Sequence, residues 1–123
     1  MTRVLLVDDH KAVRASLWEL LESIDAVDVV GEASSGEEAV RKARTLEPDV
    51  VVMDLAMPGM GGLEATRRIT ALGLRTRILV LTVHDEDEFL APAMEAGAAS
   101  FLNKSVADTE LEGELEAIMR GTS

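Results

Sequence analysis

The 123-residue chain has no cysteine, which excludes disulfide scaffolds, thiolate metal sites and cysteine nucleophiles. Its aromatic residues are only Trp18, Phe89 and Phe101, which argues against stacking platforms for flavins or bases. Basic residues are outnumbered, 12 against 23 acidic, for a net charge of −11. A chain this acidic is repelled by nucleic-acid phosphates and by anionic membrane surfaces, so direct contact with either is not expected. No apolar run approaches the ~20 residues that cross a bilayer. The chain start runs through Val4-Leu5-Leu6-Val7 straight into Asp8-Asp9, the pattern of a strand and not of a signal peptide. A cytoplasmic protein is expected. No internal repeat, low-complexity tract or linker is apparent.

What is present suits one domain over residues 1–123, with 47% hydrophobic residues for a core and 28% charged residues for the surface. Short apolar runs alternate with amphipathic stretches. Residues 4–7, 50–53 and 78–81 are unbroken runs of Val, Leu, Ile and Met, as in strands buried on both faces. Residues 27–30 and 100–102 carry weaker strand signals. Val13, Leu17, Leu20, Leu21 and Ile24 share one helical face. Ala39, Val40, Ala43 and Leu46 share a second, opened by Ser35-Gly36-Glu37-Glu38 and stopped by Pro48. Leu63, Thr66, Ile69 and Leu72 form a third, with Gly73 as terminator. A fourth pattern spans 85–96 and ends at Gly97, and a fifth spans 108–119 with Leu111, Leu115 and Ile118 inward. Pro92 lies inside the fourth, where an interior proline costs about 3 kcal/mol. That helix is therefore predicted to start near Ala91 or to be irregular before it. Five βα units in alternation give an α/β fold, a doubly wound five-stranded parallel sheet of order 2-1-3-4-5 with helices on both faces. Ligands of such sheets sit beyond the carboxyl ends of the strands.

Polar residues gather at that edge. Strand one ends in Asp8-Asp9, strand three in Asp54 and strand four in Thr82, while Lys104 follows strand five. Each has a bland explanation when taken alone. An Asp after a strand is usually a helix N-cap, a strand-end threonine is commonplace, and a lone lysine is a solvated charge. Together they make a site. Three carboxylates packed together repel one another unless a counter-charge relieves them. Oxygen ligands favour Mg²⁺, which keeps several waters and pairs with phosphate, with Mn²⁺ as a substitute. A carboxylate beside such a cation can attack a phosphoryl group and form an aspartyl phosphate. Thr82 offers a hydroxyl and Lys104 a mobile cation to the phosphoryl oxygens. Positioning and charge neutralisation are most of what phosphoryl transfer requires.

The segments Val7-Asp8-Asp9-His10, Val52-Met53-Asp54-Leu55-Ala56-Met57-Pro58-Gly59-Met60-Gly61-Gly62, Leu79-Val80-Leu81-Thr82 and Ala96-Gly97-Ala98-Ala99-Ser100-Phe101-Leu102-Asn103-Lys104 together resemble a response-regulator receiver domain of two-component signalling. The resemblance covers essentially all of residues 2–121. The wording around 82–88 and 97–104 is similar to the NarL/LuxR-type branch, whose receivers usually precede a helix-turn-helix DNA-binding domain. The resemblance implies a flavodoxin-like fold and a C-terminal output domain, outside this chain, that acts on transcription. It implies that Asp54 is the phosphoacceptor, charged by a sensor histidine kinase. Asp9 and Asp54 would ligate Mg²⁺ directly, with Asp8 assisting through water and the Ala56 backbone carbonyl completing the protein ligands. Thr82 and Lys104 would grip the phosphoryl group. Phe101 falls at the family's rotating aromatic position. In that scheme Thr82 moves toward the phosphate, Phe101 turns inward, and the face of helix four, strand five and helix five is reshaped. Plain core packing is the other reading of Phe101. Homodimerisation on phosphorylation is a further family behaviour.

Ser105 stands where many receivers have a proline, which leaves the isomer of the peptide before it open. His10 and His84 read as solvated, and Ala56 and His84 as residues flanking the site. Trp18 lies at the flank of the core face of helix one, as a cover for its neighbours or as a dimer contact. Met53, Met57 and Met60 read as packing around the acidic-site loop.

Other functions compete with the switch. A Mg²⁺-dependent phosphatase with an aspartyl nucleophile usually carries a second Asp two residues on, where this chain has Ala56. A flavin-binding module would want Ser, Thr and Gly after strand one, where Asp8-Asp9-His10 would repel a phosphate. A receiver that signals by protein binding without phosphorylation would not need the full acid, hydroxyl and amine set. The domain is thus expected to be a switch and not an enzyme, catalysing only its own phosphorylation and dephosphorylation. Ala56 is expected to leave room for the water that hydrolyses the acyl phosphate. Ala56→Leu should therefore lengthen the lifetime of a phosphoryl adduct followed by intact mass, and an unchanged lifetime would sink that idea.

Overall fold

The computed structural model describes residues 1–84 and 86–121. Strands β1 (Thr2–Val7), β2 (Val27–Ala33), β3 (Val50–Asp54), β4 (Arg77–Thr82) and β5 (Ser100–Asn103) form one parallel sheet of order β2-β1-β3-β4-β5. Helices α1 (Lys11–Glu22), α2 (Gly36–Leu46), α3 (Gly61–Ala71), α4 (Leu90–Glu95) and α5 (Ala107–Arg120) alternate with them, and a 3-10 turn (Lys104–Val106) joins β5 to α5. The doubly wound fold read from the sequence is the fold observed.

The pleat sorts strand residues between two cores. Val4, Leu6, Val50, Val52, Leu79 and Leu81 pack with Leu17 and Leu21 of α1 and Leu111, Leu115 and Ile118 of α5. Leu5, Val7, Val51, Met53, Ile78 and Val80 pack with Ala39 and Ala43 of α2, Ala65 and Ile69 of α3 and Ala93 of α4. Strands covered on both sides need apolar residues at every position, which is why their sequences are unbroken runs. Each fully buried Val, Leu or Ile contributes about 1.5–3 kcal/mol. The same alternation places Asp8 and Asp54 on the side where α1 and α5 pack.

Local chemistry sets the helix ends. At α2, Ser35 Oγ accepts the Glu38 N–H at 3.1 Å, and Glu47 takes a left-handed conformation (φ 44°) just before Pro48. Helix α4 covers only Leu90–Glu95, with Pro92 as its third residue. A first-turn N–H has no partner inside the helix, so proline loses nothing there. The predicted late start is observed, and the expected span of 85–96 is too long; residue 85 lies outside the described residues. Val13 also departs from expectation. It is 37% exposed and borders an open groove between α1 and the segment carrying Lys104, Ser105 and Ala107, so no neighbour covers it. Trp18 is partly buried against the α1/α5 core, as a covering side chain would be. Met53 and Met57 are buried and Met60 packs against the other core. No helix among the described residues is long and apolar enough to cross a membrane.

Helix α3 starts in close contact with β3. A Cβ on Gly62 would lie 2.3 Å from the Asp54 carbonyl oxygen and 2.8 Å from Leu55 Cα. Both are backbone atoms that cannot yield without moving the strand end. Gly62→Ala is expected to lower stability by about 1–3 kcal/mol, the usual range for overpacking. Chemical denaturation measures it, and an unchanged unfolding midpoint would show that the α3 start is free to shift.

Candidate functional site at the carboxyl edge

The strand order makes neighbours of the ends of β1, β3, β4 and β5. Asp8 is fully buried and Asp54 is 2% exposed. Both Asp8 oxygens are held: Oδ1 accepts the His10 backbone N–H at 2.8 Å, and Oδ2 accepts from Lys104 Nζ at 3.0 Å. Lys104 Nζ also stands 3.2 Å from Asp54 Oδ1, which accepts the Ala56 N–H at 3.2 Å. Among the described residues of this pocket, two buried oxygens remain without a hydrogen-bond partner, Asp9 Oδ1 and Asp54 Oδ2. Donor atoms of Asp8, Asp9, His10 and Asp54 all lie within 4.8 Å of one another. A buried carboxylate oxygen left unsatisfied is costly. An acidic pocket with two such oxygens is chemically suited to a hard divalent cation.

The electrostatics follow from burial. Desolvation pushes the Asp54 carboxyl up from 3.8 to about 6; Lys104 opposes the rise and Asp8 adds to it. Burial works against the charge on Lys104, but its hydrogen bond to Asp8 and the charge of Asp54 outweigh this and raise it above the ordinary lysine value. The lysine is thus a fixed cation between two carboxylates. Asn103 accepts the Ser105 N–H at 2.9 Å and opens the 3-10 turn that carries Lys104 back over the sheet. The peptide between Lys104 and Ser105 is trans.

Thr82 is buried and bonded to the loop that follows it. Its Oγ1 donates to the His84 carbonyl at 2.8 Å and accepts the His84 N–H at 3.2 Å. Ala56 and His84 are exposed at the rim, beside Asp54 and Thr82 respectively. Phe101 is 40% exposed on β5, so it does not pack in the core.

The helix-capping explanation fails for both aspartates. The N-cap of α1 is His10 and that of α3 is Met60, and neither makes a side-chain cap bond. His10, read as solvated, has a ring that is 69% exposed, with Nδ1 3.4 Å from Asp9 Oδ1. One residue escaped the sequence reading. Arg14 donates from Nη1 to the Asp8 carbonyl at 2.7 Å and pairs through Nε with Glu32, tying the end of β1 to α1 and β2. A signal existed for Arg14: a cation in the first turn opposes the helix dipole and needs another purpose.

The chain belongs to the response regulator receiver domain family, whose model matches residues 4–116. It is similar to the response regulator UvrY of Escherichia coli strain K12, with 49% identity over 121 residues, 98% of this chain and 56% of that protein. It is also similar to GacA of Pseudomonas viridiflava, with 44% identity over 121 residues and the same 98% and 56% coverage. The chain therefore spans about half the length of the curated relatives it matches. Among solved structures, the receiver domain of NarL from Mycobacterium tuberculosis superposes with a TM-score of 0.91 at 34% identity, covering 98% of this chain and 97% of that one. A LuxR-family two-component response regulator from Aurantimonas sp. SI85-9A1 gives 0.92 at 44% identity, with 98% and 86% covered.

The raised Asp54 value has a consequence for stability. Between 3.8 and about 6 the folded chain holds a proton that the unfolded chain has released, so stability falls as pH rises through that window. Without metal, Asp54→Asn is expected to be more stable than the wild type above pH 6, by up to about 3 kcal/mol. The gain should vanish as pH drops toward 4. Urea denaturation across that range, in chelator, tests the sign; a variant equally or less stable above pH 6 would show that Lys104 fully compensates the burial.

Proposed function

We propose that this domain is a phosphorylation-operated switch in which Asp54 accepts a phosphoryl group from the histidine of a sensor kinase. The observation that carries this reading is Asp54 itself, buried, with one oxygen engaged by Lys104 and Ala56 and the other free. One oxygen of the Asp54 carboxylate forms the new O–P bond as the N–P bond of the kinase phosphohistidine breaks, and the departing imidazole keeps the electron pair and takes up a proton. Asp9, Asp54 and the Ala56 carbonyl, with Asp8 assisting, would hold Mg²⁺, or Mn²⁺ in its place, which would supply positive charge for the transferred group. Lys104 carries its own charge from the carboxylate to a phosphoryl oxygen. Thr82 leaves His84 and donates to another phosphoryl oxygen, and Phe101 turns inward from its exposed position. The face of α4, β5 and α5 changes as a result, a population shift driven by new charge-assisted contacts.

On this reading the domain catalyses only its own phosphorylation and hydrolysis, and its output is a changed surface and not a product. The relatives UvrY and GacA are named response regulators. A structure of the Salmonella typhimurium response regulator RcsB, 27% identical to this chain, is described in terms of DNA interaction. We place the present domain in the cytoplasm, ahead of a C-terminal helix-turn-helix output domain that acts on transcription, with homodimerisation on phosphorylation as the coupling.

The test is intact-protein mass after incubation with acetyl phosphate and Mg²⁺. A single labile phosphoryl adduct is expected, absent in Asp54→Ala and absent with chelator. No adduct from either the small donor or a phosphorylated histidine kinase, in protein shown to bind Mg²⁺, would favour a receiver that signals by protein binding alone.

A further inference from the structure

His10 stands beside the acidic pocket in a way that the switch does not use. We propose that its imidazole is an additional protein ligand, with Asp9 and Asp54, for a borderline transition ion of the Co²⁺ to Zn²⁺ series. This deepens the cation site of the proposed switch and rests on it.

Three observations converge. First, each Asp8 oxygen already accepts a hydrogen bond, one from the His10 N–H and one from Lys104. The free donors are Asp9 Oδ1 and the nine-tenths buried Asp54 Oδ2. Second, His10 Nδ1 lies 3.4 Å from that free Asp9 oxygen, and His10 contributes a ring nitrogen to the group of donor atoms within 4.8 Å of one another. Ions of this series bind N and O at about 2.0–2.2 Å, which sets neighbouring ligand atoms roughly 3.0–3.5 Å apart. Third, the residue is anchored by its backbone, while its ring makes only long contacts, 3.7 Å to Asp8 Oδ1 and 3.4 Å to Asp9 Oδ1. The His10 N–H is on Asp8, its carbonyl accepts the Arg14 N–H at 2.8 Å, and its ring is 69% exposed and makes no cap bond.

The donor chemistry gives the ligand class. Mg²⁺ is satisfied by carboxylate, carbonyl and water and gains little from imidazole. Co²⁺, Ni²⁺ and Zn²⁺ gain substantially from a nitrogen ligand. One pocket thus has two modes: Mg²⁺ on oxygen alone, and a transition ion that also draws in His10. His84 sits on an exposed loop with Glu86 and Asp87, outside the group of donor atoms that includes His10, and serves as the control histidine.

Calorimetric titration with Co²⁺ and with Mg²⁺, alongside the visible absorption of bound Co²⁺, tests this on the wild type, His10→Ala, His84→Ala and Asp54→Asn. The backbone N–H on Asp8 survives in His10→Ala, so only the imidazole is lost. The expected result is a Co²⁺ affinity about tenfold or more weaker in His10→Ala, the scale of losing a supporting group at a metal site. The Co²⁺ spectrum should change, Mg²⁺ affinity should stay within about twofold, and His84→Ala should behave as the wild type. Co²⁺ affinity and spectrum unchanged in His10→Ala, with Mg²⁺ still requiring Asp54, would overturn the role of His10 alone. Equal weakening of both ions would overturn the selectivity. Mg²⁺ binding as well to Asp54→Asn as to the wild type would overturn the cation site beneath both proposals.

Discussion

Everything at the carboxyl edge depends on two carboxylates buried side by side and the one ammonium group set between them. Asp8 and Asp54 are both out of water, and Lys104 Nζ lies 3.0 Å from one and 3.2 Å from the other. Charges taken from water are stable only with partners in good geometry. That geometry is a product of topology, since Lys104 is 96 positions along the chain from Asp8. Only the order β2-β1-β3-β4-β5, with the 3-10 turn after β5, brings the amine back over β1 and β3. The lysine settles part of the repulsion, and two buried oxygens are left over.

The architecture was legible because its signals are redundant. Strands buried on both faces write themselves as unbroken apolar runs, and β1, β3 and β4 sit where those runs lie. The site was legible as a set and not residue by residue, since an Asp after a strand has a commoner use as a cap. Only the adjacency of four strand ends gave the acids, hydroxyl and amine a shared meaning. The structure then removed the capping explanation, with His10 and Met60 as the N-caps.

What the sequence did not carry was the neighbourhood of single side chains. Periodicity placed Val13 on the inward face, but inwardness needs something opposite, and a groove lies there. The exposure of Phe101 depends on what lies around β5 and is not encoded in its identity. Arg14 was overlooked because its partners, the Asp8 carbonyl and Glu32, come together with it only in the folded chain. Helix α4 came out at six residues because proline fixes where a helix can begin more firmly than where it ends.

The two sides of the site are built differently. β1 and β3 are buried throughout their carboxyl halves and tied by Arg14 and Lys104, whereas β4 leads into a loop and a helix of six residues. The junction between them is the Thr82 side chain. A hydroxyl has one hydrogen, and here the His84 carbonyl has it. Any acceptor elsewhere in the pocket must take that hydrogen away from the loop, because there is no second one to share. If that hydrogen goes to an acceptor in the pocket, the loop keeps the His84 N–H bond to the threonine oxygen but loses the one to its carbonyl.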